Sequence, residues 1–291
     1  MLALQSRFTG ATASAPDYGE ILFSEDWSQL KRWRRKVLAP IYRISDRGIL
    51  GLTPLRTHIL VCGFPRSGTT MLQMMLENGL PQARRFGREV GGWRAATYSW
   101  RNHSILISKV PHDLFRLEQL RMFYDPRPAQ LRIILMQRDP RDVLTSRRKL
   151  GGKEDYVVGP ERWRRFFKSF CQERERPDVL VIRYEQLVAD VICHQERIEQ
   201  FAGQQMAVPF TQFHTISRPD FDTATLNGLR PVESSVISRW RSPAHRERIE
   251  QMLLQLPELP QALIDLGYET DDRWIERWRS NEEYELHTTY S

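Results

Sequence analysis

The tightest constraint on the fold lies between Ile59 and Leu76. An apolar run, Ile59-Leu60-Val61-Cys62, leads directly into Gly63-Phe64-Pro65-Arg66-Ser67-Gly68-Thr69-Thr70 and then into Met71-Leu72-Gln73-Met74-Met75-Leu76. The order is strand, glycine-bounded turn, helix. Met71, Leu72, Met75 and Leu76 recur at helical spacing and read as the face that packs this helix on a sheet. The first backbone N–H groups of such a helix have no intrahelical partner, and the helix dipole adds partial positive charge. The turn is therefore suited to cradle a phosphate.

The spacing G-x-x-x-x-G followed by two threonines matches the nucleoside-triphosphatase loop, except that Thr69 stands where that loop carries lysine. Hydrolysis of ATP or GTP is not expected without it. A cation is offered instead from inside the loop, by Arg66. Four β-rich segments, His58–Phe64, Ser104–Lys109, Leu131–Arg138 and Val179–Tyr184, alternate with stretches of helical spacing. That alternation predicts an α/β fold, a P-loop-like parallel β-sheet flanked by helices in a single domain. Residues 57–291 would form this domain, and 1–56 a helical extension packed on it, with a helix over Asp26–Ala39 that Pro40 ends. Val188–Gly203 and Pro243–Leu256 read as further helices. The polar stretch Phe210–Ser238 has little periodicity and reads as a loop, either covering a site or running idly over the surface.

Hydrophobic residues make up 41% and charged residues 27% of the 291, the balance of a folded chain. The formal charge of +7 suits an anionic partner but does not choose one. The basic runs Lys31–Lys36 and Arg162–Arg165 read as solvated helix faces. Cys62, Cys171 and Cys193 have no paired spacing, so neither a disulfide framework nor a metal site is expected. No apolar stretch is long enough to span a membrane, and a cytoplasmic enzyme is expected.

A second motif narrows the choice. After the strand Leu131–Met136 comes Arg138-Asp139-Pro140-Arg141-Asp142-Val143-Leu144-Thr145-Ser146. Together with the loop at Gly63–Thr70, it resembles the sulfotransferases that use 3′-phosphoadenosine 5′-phosphosulfate (PAPS). Their 5′-phosphosulfate loop has Lys or Arg at the Arg66 position. An Arg at a strand end and a Ser on the next helix hold their 3′-phosphate, a pairing of planar donors with a short hydroxyl donor that suits a dianion. Arg183-Tyr184-Glu185-Gln186-Leu187 is similar to the family segment whose Tyr lies against adenine, and Arg230 falls in a late basic segment similar to one that closes over the nucleotide. The resemblance, which covers Ile59 to Arg241, implies that Arg66, Ser67, Gly68, Thr69, Thr70, Arg138, Ser146, Tyr184 and Arg230 bind PAPS, with PAP as product and no metal.

The resemblance also implies catalytic roles for Glu89, Lys109 and Arg66. Glu89, in Arg85-Phe86-Gly87-Arg88-Glu89-Val90, matches a Gly-x-Glu segment of protein-tyrosine sulfotransferases whose Glu is the general base, a role that burial would favour by raising its pKa. Lys109 and Pro111 match a Lys-x-Pro segment whose ammonium would neutralise the leaving oxygen. His112 follows Pro111 rather than preceding it, unlike the histidine base of small-molecule sulfotransferases, and His103 matches nothing. Trp93, Tyr98 and Trp100 could pack in the core or wall an acceptor site. The expected acceptor is a glycan, a lipid-linked sugar or a tyrosyl peptide, preferably acidic. The alternative readings are a kinase or triphosphatase lacking its lysine, which leaves Arg138 and Ser146 unexplained, and a non-catalytic nucleic-acid-binding protein, which would need cations interleaved with aromatics on one surface where the strand-loop-helix motifs point to a small nucleotide.

Overall fold

The computed structural model describes residues 53–98, 103–150, 153–216, 231–233 and 236–280. All of them belong to one unit, Ser45–Ser291. The helix expected over Asp26–Ala39, nearly all of the 1–56 extension, and Arg230 lie outside the described residues.

In chain order the strands are β1 (Thr57–Gly63), β2 (Ile105–Lys109), β3 (Gln130–Gln137), β4 (Arg147–Leu150), β5 (Lys153–Tyr156) and β6 (Val179–Arg183). Four of them form a wholly parallel sheet in the order β2-β1-β3-β6, while β4 and β5 pair as a separate antiparallel hairpin. The helices are α1 (Thr69–Gly79), α2 (Gly92–Tyr98), α3 (Leu117–Tyr124), α4 (Pro140–Leu144), α5 (Pro160–Glu173), α6 (Tyr184–Ala189), α7 (Val191–Ala202), α8 (Arg246–Gln255), α9 (Leu259–Asp265) and α10 (Trp274–Arg279).

The period of two along β1 divides the core. Leu60, Cys62 and Phe64 join the apolar cluster that holds residues of α3, α5 and the C-terminal helices, whereas Ile59 and Val61 join the cluster that holds residues of α1 and α7. Helices thus cover both faces, as a parallel sheet requires. Helix α5 shows how sequence sets this packing. Gly159 and Pro160 start it, and Trp163, Phe166 and Phe170 follow at helical spacing; the Phe170 ring centroid lies 5.3 Å from that of Phe64.

Two expected helices are subdivided. Asp190 breaks Val188–Gly203 into α6 and α7, because its carboxylate accepts from Cys193 N at 2.9 Å and caps α7, which Gly203 closes at φ 64°. Pro243–His245 is a 3₁₀ turn ahead of α8. Trp240, Trp274 and Trp278 cluster below it, with the Arg141 guanidinium 3.9 Å from the Trp240 ring and salt-bridged to Asp139 and Glu269. This buried cation ties the C-terminal helices to the turn after β3. Among the described residues, no helix is long and apolar enough to cross a membrane.

Candidate active site

The carboxyl ends of the parallel strands converge on one cavity of about 630 Å³, the edge at which open α/β sheets bind ligands. The loop after β1 contributes Arg66, Gly68, Thr69 and Thr70, the segment that follows β3 contributes Arg138 and, past α4, Ser146, and the start of α6, directly after β6, contributes Tyr184. Two glycines permit this loop. Gly63 has φ 121°, and a Cβ there would meet Met136 O at 2.4 Å; Gly68 has φ 85°, and a Cβ there would meet the Tyr184 ring at 2.5 Å. Helix α1 then begins at Thr69 with no side-chain cap, leaving its first N–H groups for a ligand.

Residues 80 positions apart in the chain meet here. The Nε of Arg66, a residue held at φ 67°, donates to Ser146 Oγ at 2.8 Å. Arg138 donates through one terminal nitrogen to Arg66 O at 3.1 Å, and through the other to Asp142 Oδ2 at 3.2 Å and Val236 O at 2.6 Å. Its guanidinium carbon lies 4.6 Å from the Tyr184 ring, and its buried Nε has no hydrogen-bond partner. Asp142 also accepts from Ser238 N and Trp240 N, at 3.0 and 2.9 Å, and so fixes the chain around 236–241 against the site. Desolvation, then the neighbouring Arg138 and Arg148 guanidiniums, lower the Arg66 pKa from its ordinary value. Cations crowded around open space form a setting for an anion.

Beyond α1 lies a second group. The Lys109 side chain is fully buried at the end of β2; its Nζ donates to Thr70 Oγ1 at 2.9 Å and forms a salt bridge with Glu89. Burial lowers the Lys109 pKa, and Glu89 and Glu77 oppose that shift. Glu89 lines the cavity, but it is not buried as the sequence reading required, since 58% of its side chain is exposed. An antiparallel bridge between Val90 and Lys109 holds the two together.

Other candidates fall differently. Ser67 is buried, and its hydroxyl donates to Phe64 O at 2.5 Å, which shapes the loop rather than facing the cavity. Ser146 stands past the end of α4, a helix of only five residues, and not on the helix as expected. Tyr184 opens α6 instead of ending β6. His112 lines the cavity with Nε2 3.1 Å from a terminal nitrogen of Arg162. A guanidinium donates and never accepts, so that ring nitrogen is the unprotonated one and its lone pair is engaged. His103 lies 3.2 Å from Gln82 O, and the partly buried Trp93 packs edge-on against Phe123 at 5.2 Å between ring centroids, against the core, while Trp100 lies outside the described residues.

Sequence reasoning overlooked Asp142 and Arg162. The run Arg162-Trp163-Arg164-Arg165 read as a solvated face, yet Trp163 is buried and Arg162 lines the cavity, while Arg164 pairs with Glu161 and Glu258. The apolar spacing of Trp163, Phe166 and Phe170 was the available signal that one flank of this run turns inward. Among the described residues, no group of three or more His, Cys, Asp or Glu is placed to hold a metal ion.

The sulfotransferase-domain family model matches residues 56–216, more than half of the chain, and spans the loop, both arginine-bearing strand ends and Tyr184. The protein belongs to the sulfotransferase family. Sulfotransferase 2A1 of Macaca fascicularis is 24% identical over 180 residues, 51% of this chain and 60% of the relative. The Homo sapiens enzyme of the same name is 24% identical over 176 residues, with the same coverage. The chain thus spans less than two thirds of the length of these relatives. The sulfotransferase domain of the Synechococcus PCC 7002 olefin synthase superposes with a TM-score of 0.47 at 18% identity, over 70% of this chain and 96% of that domain.

Proposed function

We propose that the protein transfers a sulfuryl group from PAPS to a hydroxyl, or an amine, of a glycan, lipid-linked sugar or tyrosyl peptide. The observation that carries this reading is the junction of Arg66, Ser146 and Arg138, in which two motifs distant in sequence meet on one cavity beside an uncapped helix start. The residues fit the donor. The N–H groups from Gly68 to Thr70 and the Arg66 guanidinium would hold the 5′-phosphosulfate, Arg138 and Ser146 the 3′-phosphate, and Tyr184 the adenine. Ser67 supports the loop from below, and Arg230 is the proposed closing cation.

In the reaction, the acceptor oxygen forms a bond to sulfur as the bond from sulfur to the 5′-phosphate oxygen breaks, releasing PAP. The acceptor proton passes to Glu89. Lys109, held between Thr70 and Glu89, supplies positive charge for the leaving oxygen. His112 is a poorer base because its Nε2 lone pair already accepts from Arg162.

The test is incubation with labelled PAPS and panels of oligosaccharides, tyrosyl peptides and simple phenols. Glu89→Gln is expected to abolish turnover with little change in PAP affinity, because a base acts on the acceptor. Lys109→Ala is expected to slow turnover by roughly 10²-fold or more, the loss typical of one oxyanion-hole donor. Most activity surviving in Glu89→Gln but vanishing in His112→Ala would overturn the base assignment.

A further inference from the structure

Glu89 is more than half exposed, and a carboxylate on a surface segment is a poorly placed base unless its backbone is held. The helix that starts in the donor loop holds it. Thr70, Gln73 and Glu77 stand at i, i+3 and i+7 of α1 and share one face of that helix. Met71, Leu72, Met75 and Leu76 supply the apolar contacts of α1, so a polar stripe beside them would ordinarily meet water. Gln73 and Glu77 are instead almost fully buried. Thr70 Oγ1 accepts from Lys109 Nζ at 2.9 Å, Gln73 Nε2 donates to Arg88 O at 3.1 Å and to Glu77 Oε1 at 2.9 Å, and Glu77 Oε1 accepts from Phe86 N at 3.3 Å. From the sheet side, Lys109 N donates to Val90 O at 3.1 Å. The carbonyls of Arg88 and Val90, the residues on either side of Glu89, are thus pinned, one to α1 and the other to β2.

Gln73 is the costly member of this stripe. Its Nε2 faces two acceptors, which fixes the orientation of the amide, and its Oε1 is buried with no hydrogen-bond partner among the described residues. An apolar side chain would fill the same space without burying an unpaired acceptor. The bond to Arg88 O is what a donor at this position adds. We infer that Gln73 is a positioning residue for the reaction, which sets the backbone at Glu89 so that one helix holds the phosphosulfate at its start and the base a turn further along. The inference rests on the sulfuryl-transfer reading with Glu89 as base, and deepens it.

The experiment uses the full chain and two variants, Gln73→Met, which keeps the volume and removes both the donor and the unpaired oxygen, and Gln73→Asn, whose amide is one carbon shorter. Labelled PAPS is offered with two phenols. The hydroxyl of a tyrosyl peptide titrates near ~10 and needs a base, whereas para-nitrophenol is largely ionised in mildly alkaline buffer and needs none. Both variants are expected to lose kcat on the tyrosyl peptide by roughly tenfold or more, with a much smaller loss on para-nitrophenol and PAP affinity within about twofold of wild type. Gln73→Met should unfold in urea no earlier than wild type, and with PAP bound the amides of residues 86–92 should exchange faster in both variants. Unchanged kcat on the peptide, equal losses on the two phenols, or unchanged exchange over 86–92 overturns the inference and leaves sulfuryl transfer standing. A wild type that binds PAP but sulfates neither phenol also counts against it. Full turnover in Glu89→Gln removes the base assignment, and failure to bind PAP removes the sulfotransferase reading; the inference falls with either.

Discussion

At the scale of single residues, the site depends on how closely Gly68 and Tyr184 approach. A methyl group at Gly68 would sit 2.5 Å from a Tyr184 ring carbon, on a backbone at φ 85° that side chains disfavour. Gly68→Ala is therefore expected to weaken PAP binding by about fivefold to a hundredfold, as strain of ~1–3 kcal/mol implies. In a Tyr184→Ala background the same change should have a smaller effect, because the clash is gone and only the backbone strain remains. Calorimetry on the four proteins of that cycle measures the coupling. The glycine spacing was legible in the sequence, but the pairing of Gly68 with Tyr184 was not, since 116 residues separate them. Likewise, nothing local announced that Arg66 would meet Ser146, or that Asp142 would hold Arg138 and the chain at Ser238–Trp240 together. Glu89 was singled out by its motif, but the burial expected of it is absent, since its side chain is 58% exposed beside the buried Lys109.

At the scale of elements, apolar runs carried the reading. β1, β2, β3 and β6 fall within a residue of the segments that alternation marked out, since strands buried on both faces are written as nearly continuous aliphatic stretches. The β4–β5 hairpin escaped notice because Arg147-Arg148-Lys149-Leu150 has no apolar alternation, although the Gly151-Gly152 pair between the two strands was an available turn signal. The packing of α5 on the sheet offers a stability test. Phe170→Ala, in the core beside Phe64, should destabilise the protein by about 3–5 kcal/mol. Leu254→Ala on α8, 83% exposed, should change stability by no more than about 0.5 kcal/mol. Urea unfolding of the two variants beside the parent compares them directly; equal losses would contradict the core assignment.

At the scale of the whole molecule, buried acids set the response to pH. Asp113 is buried beneath the start of α2, where it accepts from Gly92 N at 2.6 Å, and burial pushes its pKa up to about 6. The native state therefore holds this proton more tightly than the unfolded chain, where an aspartate titrates near ~3.9. Its contribution is fully present below about pH 4 and is lost as pH rises through about 6, a difference of about 3 kcal/mol for a shift of this size. Asp142 and Glu185, also raised by burial, act in the same direction. Asp113→Asn keeps an acceptor for Gly92 N, so the stability of wild type relative to this variant should fall between pH 4 and 6; a difference independent of pH would contradict the assignment.

The same scale holds the central claim, that the carboxyl edge of the sheet is built to bind a nucleotide carrying a 3′-phosphate. Calorimetric titration of the wild-type chain with PAP, AMP and ATP tests it most directly. The account predicts that PAP binds at least about tenfold more tightly than AMP or ATP, because each charge-assisted hydrogen bond to the 3′-phosphate contributes roughly 1.5–3 kcal/mol, and that Arg138→Ala and Ser146→Ala each erode that preference. Equal affinity for PAP and AMP, or a wild-type preference that survives Arg138→Ala, would contradict it.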